Sequence, residues 1–117
     1  MIKASNLGEK LGLNNLYIYN DYLNPSYSFK NRPVAVAITK AVEFGFDIIA
    51  CASTGNLAAS VAAYAAMAGL KSYVFVPQNT ERGKLIGAAV YNPIIINVEG
   101  NYDDVNILCS KLSKQYN

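Results

Sequence analysis

Two polar stretches carry the residues of this sequence that could do chemistry. The first, NPSYSFKNRP, runs from Asn24 to Pro33 and places Lys30 near the start of an expected helix. A cation at a helix start is disfavoured by the helix macrodipole by roughly 0.3–1 kcal/mol. One explanation is a lysine whose side chain simply reaches solvent, which is the commoner case for a single lysine in a loop. The other is an amine that loses its proton and attacks a carbonyl group to form a Schiff base.

The second stretch, ASTGNLAAS, crosses from an expected strand into an expected helix. Ser53, Thr54, Gly55 and Asn56 lie at the crossing, where backbone N–H groups and the positive end of the helix dipole converge. Such a turn suits an anion, either a carboxylate or a phosphate. The same residue types are also favoured as ordinary helix caps, so the turn alone leaves both interpretations open.

Hydrophobic patterning predicts the elements that position these stretches. Apolar runs typical of strands buried on both faces of a parallel sheet occur at 47–53, 72–76 and 94–98. Helices are predicted at 56–69 and 81–91, and a last amphipathic helix follows Asn101, a capping residue with Asp103 and Asp104 in the first turn. Upstream, the patterns predict a helix at 5–12, a strand at 16–20 and a helix at 33–45.

This alternation predicts an α/β fold, an open parallel twisted sheet with flanking helices and a βαβαβα core. At 117 residues the chain is too short for two domains of ordinary size. We therefore expect a single partial domain over 1–117. Its first part, 1–45, holds a lead-in helix, a short strand and the lysine-bearing segment, and 46–117 form the sheet core. Ligands of such sheets bind outside the carboxyl ends of the strands, which directs attention to the turn at 53–56.

Composition narrows the classes of partner. Hydrophobic residues make up 52% of the chain and charged residues 15%, which argues against disorder. The net charge of +2 comes without a block of like charge, so nucleic-acid binding is not supported. Cys51 and Cys109, with no histidine in the chain, suggest neither a disulfide framework nor a metal site, and they are interpreted as buried thiols in a reducing compartment. No segment resembles a signal peptide or a membrane span, which predicts a cytoplasmic protein without a membrane partner.

The motif NPSYSFKNR, followed by ACASTGNLAASVAAYAAMAGLKSYVFVP, resembles the N-terminal part of the fold-type II pyridoxal-phosphate enzymes. Within that group it is most similar to the threonine synthases, whose usual motifs are N-P-T-G-S-F-K-D-R-G and S-T-G-N before an alanine-rich helix. The later GKLIGAAVY and GNYDD resemble that family's next helix and its G-N-F-D-D element. Two motifs in the correct order are much more specific than either one alone.

The resemblance implies a role for each motif residue. Lys30 would bind pyridoxal 5'-phosphate through its amine and then move protons as a general base and acid. Ser28 and Phe29 would position this lysine, and Phe29 would also be one of the cofactor-binding residues. Asn56 would donate a hydrogen bond to the 3'-oxygen of the cofactor ring, and the turn Ser53–Asn56 would hold the α-carboxylate of an amino-acid substrate. The family reaction converts O-phosphohomoserine and water to threonine and phosphate.

Three positions depart from the lysine motif. Tyr27 stands where a glycine is usual, and it would be strained if the turn needs a positive φ. Asn31 replaces an aspartate, which should weaken the interactions that orient Arg32. Pro33 replaces a glycine and is tolerated only if the helix begins at about Lys30 or later.

The family's glycine-rich phosphate loop has no counterpart here, because all eight glycines are isolated. The resemblance therefore indicates a fragment that neither binds the cofactor tightly nor turns over substrate alone. Its expected partners are the missing C-terminal part of the enzyme and, as a further option, a second copy in a homodimer. Exposed apolar surface should make the chain associate. Open alternatives are a threonine or serine dehydratase, a cysteine or cysteate synthase, or a catalytically dead α/β interaction module.

Overall fold

The structure, a computed structural model, describes residues 1–116 and confirms the α/β fold. Asn117 lies outside the described residues, so the division of 1–117 into parts stays a prediction. In chain order the elements are β1 Ile2–Lys3, α1 Ser5–Leu11, β2 Tyr17–Ile18, a 3-10 turn Asp21–Leu23, α2 Asn31–Glu43, β3 Ile48–Ala52, α3 Asn56–Ala68, β4 Lys71–Pro77, α4 Arg82–Ala89, β5 Ile94–Val98 and α5 Tyr102–Gln115.

The main sheet is parallel, with the order β3-β4-β5. Alternation along β4 separates its two faces. Val74 and Val76 belong to the core formed with α3, whereas Tyr73 and Phe75 line a groove beside α5. The helices α2 and α4 pack on α3, and α5 crosses β3 and β4. The face of the sheet that packs against α3 is therefore well covered, whereas the face beside α5 is only partly covered.

Burial of the strands differs from the sequence prediction. Only the central strand β4 is buried on both faces, since Ile48 of β3 is 52% exposed and Ile94 of β5 is 48% exposed. The reason is that β3 and β5 are edge strands of a three-stranded sheet, and α5 packs on β3 and β4. Beside α5 a groove of about 1150 Å³ stays open along the sheet.

The helix boundaries follow from local chemistry. The alanine-rich α3 ends at Gly69, whose φ of 73° is the left-handed conformation that stops a helix. Small side chains line the contact between α3 and α4, where a Cβ added at Gly87 would lie at an ordinary contact distance of 3.6 Å from the Cβ of Ala59. At the start of α5, Asn101 and Asp104 form a capping box.

A second, small sheet escaped the sequence prediction. Ile2 and Lys3 form a strand that pairs antiparallel with Tyr17 and Ile18, a separate two-stranded sheet before the parallel one. Within residues 1–116, no helix has the length and apolar character needed to cross a membrane.

Candidate active site

Lys30 stands directly before the first residue of α2, in a half-buried position. Its backbone N–H donates to the hydroxyl of Ser28 at 3.2 Å, and its ammonium lies 5.1 Å from the centre of the Phe29 ring. Ser28 is buried, so this hydrogen bond ties the loop around the lysine to the interior of the protein. The lysine therefore starts from a defined backbone position, with an aromatic side chain beside its charged end.

The departures at Tyr27 and Pro33 have clear structural outcomes. Tyr27 has a φ of 54°, so the expected strain is present, because non-glycine residues rarely adopt the left-handed region. Its ring lies 6.2 Å from that of Tyr22. Pro33 is the third residue of α2, where its missing N–H would have had no partner inside the helix. The helix thus begins late enough for this proline.

The start of α3 has no side-chain cap, which removes the ordinary-cap interpretation of the turn at 53–56. Gly55 precedes the helix, and the hydroxyl of Ser53 accepts only from the N–H of Gly55, at 3.3 Å. In α5, by contrast, the Asn101 side chain accepts from two first-turn N–H groups. The first turn of a helix has N–H groups without intrahelical partners, and at α3 they remain available to an anion.

Ser60 brings the two polar stretches together. Its side chain is fully buried in the second turn of α3, where the hydroxyl donates to the backbone carbonyl of Asn56 at 2.8 Å. The same hydroxyl lies 2.9 Å from that of Ser26, in the lysine segment. Ser26 in turn donates to Oδ1 of Asn31 at 2.6 Å. A hydrogen-bonded path thus joins the residue after Lys30 to Asn56 in the turn.

The side chains of Asn31 and Arg32 lie in different environments, one buried and one exposed. Asn31 is 1% exposed, and its Nδ2 has no hydrogen-bond partner within the described chain. Arg32 is mostly exposed, with its Nε donating to Asp21 at 3.0 Å and its guanidinium stacked 4.0 Å from the centre of the Tyr19 ring. Asp21 and Tyr19 therefore orient Arg32, and the expectation that Asn31 weakens this orientation stays a prediction.

Sequence reasoning missed three residues near the turn. Tyr102, the first residue of α5, donates its hydroxyl to the carbonyl of Ala52 at 3.1 Å, beside Ser53. Its signal was a tyrosine at the phenylalanine position of the G-N-F-D-D element. Ser26 and Ser60 were also missed, although Ser60 stands four residues after Asn56 and so lies on the same helix face.

Comparison with known proteins was made for both sequence and structure. The sequence profile of the family described as "Pyridoxal-phosphate dependent enzyme" matches residues 1–117. This chain belongs to the pyridoxal-phosphate-dependent enzyme family. The predicted family and its cofactor, pyridoxal phosphate, are thereby confirmed.

Curated relatives of this pyridoxal-phosphate-dependent chain are named threonine synthase. The protein of Methanocaldococcus jannaschii is 40% identical over 116 residues, which cover 98% of this chain and 29% of that protein. The protein of Bacillus sp. (strain ULM1) is 44% identical over 105 residues, covering 89% of this chain and 30% of that protein. The chain therefore spans less than a third of the length of these relatives.

Solved structures show the same fold. The processed form of threonine deaminase isoform 2 from Solanum lycopersicum matches with a TM-score of 0.80 and 22% identity, over 96% of this chain and 31% of that one. Maize serine racemase matches with a TM-score of 0.77 and 19% identity, over 97% of this chain and 35% of that one. These neighbours confirm an α/β fold of the fold-type II pyridoxal-phosphate enzymes.

The residues present fit part of a pyridoxal-phosphate site. Lys30 supplies an amine, and the uncapped start of α3 supplies N–H donors. The sequence has no cluster of glycines that could wrap the cofactor phosphate. These residues could therefore bind the cofactor at its lysine-linked side and bind the anionic group of a substrate, but they offer no loop for the cofactor phosphate.

Proposed function

We propose that this chain is the lysine-bearing N-terminal part of a threonine-synthase-like lyase, which converts O-phosphohomoserine and water to threonine and phosphate. The observation that carries the proposal is the Ser26–Ser60 contact of 2.9 Å, which joins the segment of Lys30 to the uncapped start of α3. The names of the sequence relatives support this choice of reaction over other fold-type II reactions.

Lys30 is assigned the proton-handling role. Pyridoxal phosphate, when bound, supplies an electron sink for the α-carbon of an amino acid. The amine of Lys30 would attach the cofactor and, once displaced by substrate, hold or deliver a proton at Nζ. Phe29 would limit the positions of this amine through its ring, which lies 5.1 Å from the ammonium nitrogen.

The start of α3 is assigned to binding. The hydroxyls of Ser53 and Thr54, with the backbone N–H groups of Thr54, Gly55 and Asn56, would bind the α-carboxylate of the substrate, because the helix terminus favours an anion by roughly 0.3–1 kcal/mol. The side-chain amide of Asn56 would donate to the 3'-oxygen of the cofactor ring. Gly55 and Asn56 are exposed, so a ligand can approach them directly.

The same exposure leaves this half-site open to water. Desolvation strengthens the charge interactions of an active site, and an open site lacks that gain. We therefore propose that the chain alone binds the cofactor weakly and does not turn over substrate. The remainder of the relatives' length would close the site as a partner polypeptide, and homodimerisation is the second arrangement to test.

The direct test is the visible absorption of cofactor bound through a lysine. At saturating pyridoxal phosphate, the folded chain should show this band, and Lys30→Ala should lose it. Lys40→Ala is the matched control, because Lys40 lies on the exposed face of α2 and pairs with Glu43. If the wild-type chain stays folded without any such band, the claim that it forms the lysine side of the cofactor site is rejected.

A catalytically inactive α/β interaction module is the second candidate. The left-handed φ of Tyr27, three residues before the lysine, favours it. The complementary C-terminal part of the M. jannaschii threonine synthase, supplied as a separate polypeptide, separates the two. Phosphate release from O-phosphohomoserine that depends on Lys30 supports the enzyme, whereas binding of the two polypeptides without phosphate release supports the inactive module.

A further inference from the structure

Ser60 is an unusual residue for its position. Its neighbours on the buried side of α3 are apolar, including Ala58, Val61, Ala62 and Ala63, and Ser60 itself is 0% exposed. Alanine forms helices better than serine and needs no partner when buried, so the hydroxyl is not there to stabilise the helix itself. A buried hydroxyl requires hydrogen-bond partners, and Ser60 finds one of them in the lysine segment.

Three short contacts run in series through this region. Ser26 Oγ lies 2.6 Å from Oδ1 of Asn31 and 2.9 Å from Ser60 Oγ, which lies 2.8 Å from the carbonyl of Asn56. Two hydroxyl groups provide two protons for these contacts. With the Asn31 amide oxygen facing Ser26, one contact lacks a proton, while the buried Nδ2 has no acceptor.

The oxygen of the Asn31 amide is the common acceptor of this region. Ser26 donates to Oδ1 at 2.6 Å, a distance usual for an O–H···O bond and shorter than an ordinary N–H···O bond. Ser60 Oγ lies 3.5 Å from the same oxygen. The proton of Ser60 therefore serves either the carbonyl of Asn56 or the lysine segment, and the three side chains form one cluster.

We propose that Asn31, Ser26 and Ser60 form a largely buried hydrogen-bonded cluster that ends on the carbonyl of Asn56 and fixes the lysine segment against the start of α3. Ser60 is then a positioning residue for Lys30 and Asn56. The functional part of this inference rests on the proposed function, because only a cofactor site needs these two residues in register.

The first test is a double-mutant cycle on the unfolding equilibrium of the whole chain. Ser26→Ala and Ser60→Ala should be coupled by a factor of about 3 to 10 in the equilibrium constant, because they remove one shared hydrogen bond. Ser26→Ala combined with Ser72→Ala is the control, since Ser72 is a buried serine on β4 outside the chain of contacts. A coupling factor of one for Ser26 and Ser60 overturns the proposal.

The second test asks whether Ser60 positions the lysine segment or only supports its own helix. The N–H groups of Lys30, Asn31 and Arg32 are hydrogen-bonded within that segment. Ser60→Ala should accelerate their hydrogen exchange by at least about fivefold relative to the amides of α5, because the segment loses its anchor. Equal acceleration everywhere, or none in the segment, contradicts a positioning role.

Neither test needs the cofactor, so their outcomes separate this inference from the proposed function. Coupling and faster exchange without a Lys30-dependent visible band retain the cluster and reject the function. A visible band without coupling retains the function and rejects the cluster. When the band is present, Ser60→Ala should shift its absorption maximum, and Ser72→Ala should leave that maximum unchanged.

Discussion

The charge of Lys30 makes almost no net contribution to the free energy of folding. The dipole of α2 disfavours its charge by roughly 0.3–1 kcal/mol, and the contact with the Phe29 ring offsets about 0.5–1 kcal/mol. The lysine is therefore not explained by stability. This supports a chemical role and means that variants at Lys30 should fold, which makes them interpretable in binding experiments.

The strain at Tyr27 can be isolated by two substitutions that both remove the ring. Tyr27→Val should be less stable than Tyr27→Gly by about 1–2 kcal/mol, because the residue has a φ of 54° and a β-branched side chain tolerates that conformation poorly. Chemical denaturation of both variants measures the difference. Equal stabilities would mean that the chain relaxes out of the left-handed conformation and that Tyr27 stores no strain.

Burial raises the pKa of the Cys51 thiol to about 12, with a smaller contribution from Cys109. The unfolded thiol titrates near 9.0, so the fold binds the proton more tightly and loses stability as the pH rises from 9 towards 12. The stability difference between the wild type and Cys51→Ala should shrink by roughly 1–2 kcal/mol between pH 8 and 10.5. Denaturation at several pH values measures it.

Cys109→Ala provides the comparison for that experiment. Burial raises the pKa of this thiol too, but Cys109 is only half-buried, which corrects the expectation that both cysteines are buried. Between pH 8 and 10.5, the stability difference between the wild type and Cys109→Ala should therefore change less than the difference between the wild type and Cys51→Ala. A larger effect at Cys109 than at Cys51 would contradict the assigned burial of the two thiols.

Asn101 was predicted to cap α5, with Asp103 and Asp104 in the first turn, and the structure shows this cap as a capping box. Asn101→Ala should lower the free energy of unfolding by about 1 kcal/mol, because two first-turn N–H groups lose their acceptor. Asn106→Ala is the control, since that exposed side chain donates to a carbonyl of its own helix and caps nothing. Thermal or chemical unfolding that shows the same loss for both variants would contradict the importance of the cap.

Sequence patterns predicted most of the helices and strands, but they predicted the burial and contacts of these elements less well. The strand 94–98 was placed correctly, and α3 ends at Gly69 as expected. The helix predicted at 33–45 begins earlier, at Asn31, because the fixed φ of Pro33 is compatible with a first turn. β1 was missed because a strand of two residues has no periodicity to detect.

The candidate site was predicted as a set of residues but not as a geometry. Lys30 and the turn at 53–56 stand out through their residue types and the order of their motifs. The contact between Ser26 and Ser60 joins residues 34 positions apart, and single hydroxyls at that separation form no recognisable pattern. Whether a cap side chain is used also depends on backbone geometry, which residue types alone leave open.

The whole molecule is less compact than its length allows. Its radius of gyration is 17.5 Å, compared with about 13 Å for a compact domain of this size. The open groove beside α5 and the edge strands leave apolar side chains such as Ile48 in contact with solvent. A surface of this kind favours association of the isolated chain.

Association should weaken when a charge is placed on this surface. Ile48→Lys, on the edge strand β3, should shift sedimentation at high protein concentration towards the monomer, because burying a lysine costs free energy. Val36→Lys is the control, since Val36 is 64% exposed on α2, away from the sheet. A wild-type chain that stays monomeric at all concentrations would contradict the expected association.

The proposal that Lys30 is the cofactor lysine is tested most directly by chemical trapping. The chain is mixed with pyridoxal phosphate, reduced with borohydride and digested, and the modified lysine is located by mass spectrometry. Of the eight lysines, Lys30 should carry most of the label, although fully exposed lysines are more accessible. Label distributed according to exposure, with Lys30 modified no more than Lys40 or Lys71, would contradict the proposed site.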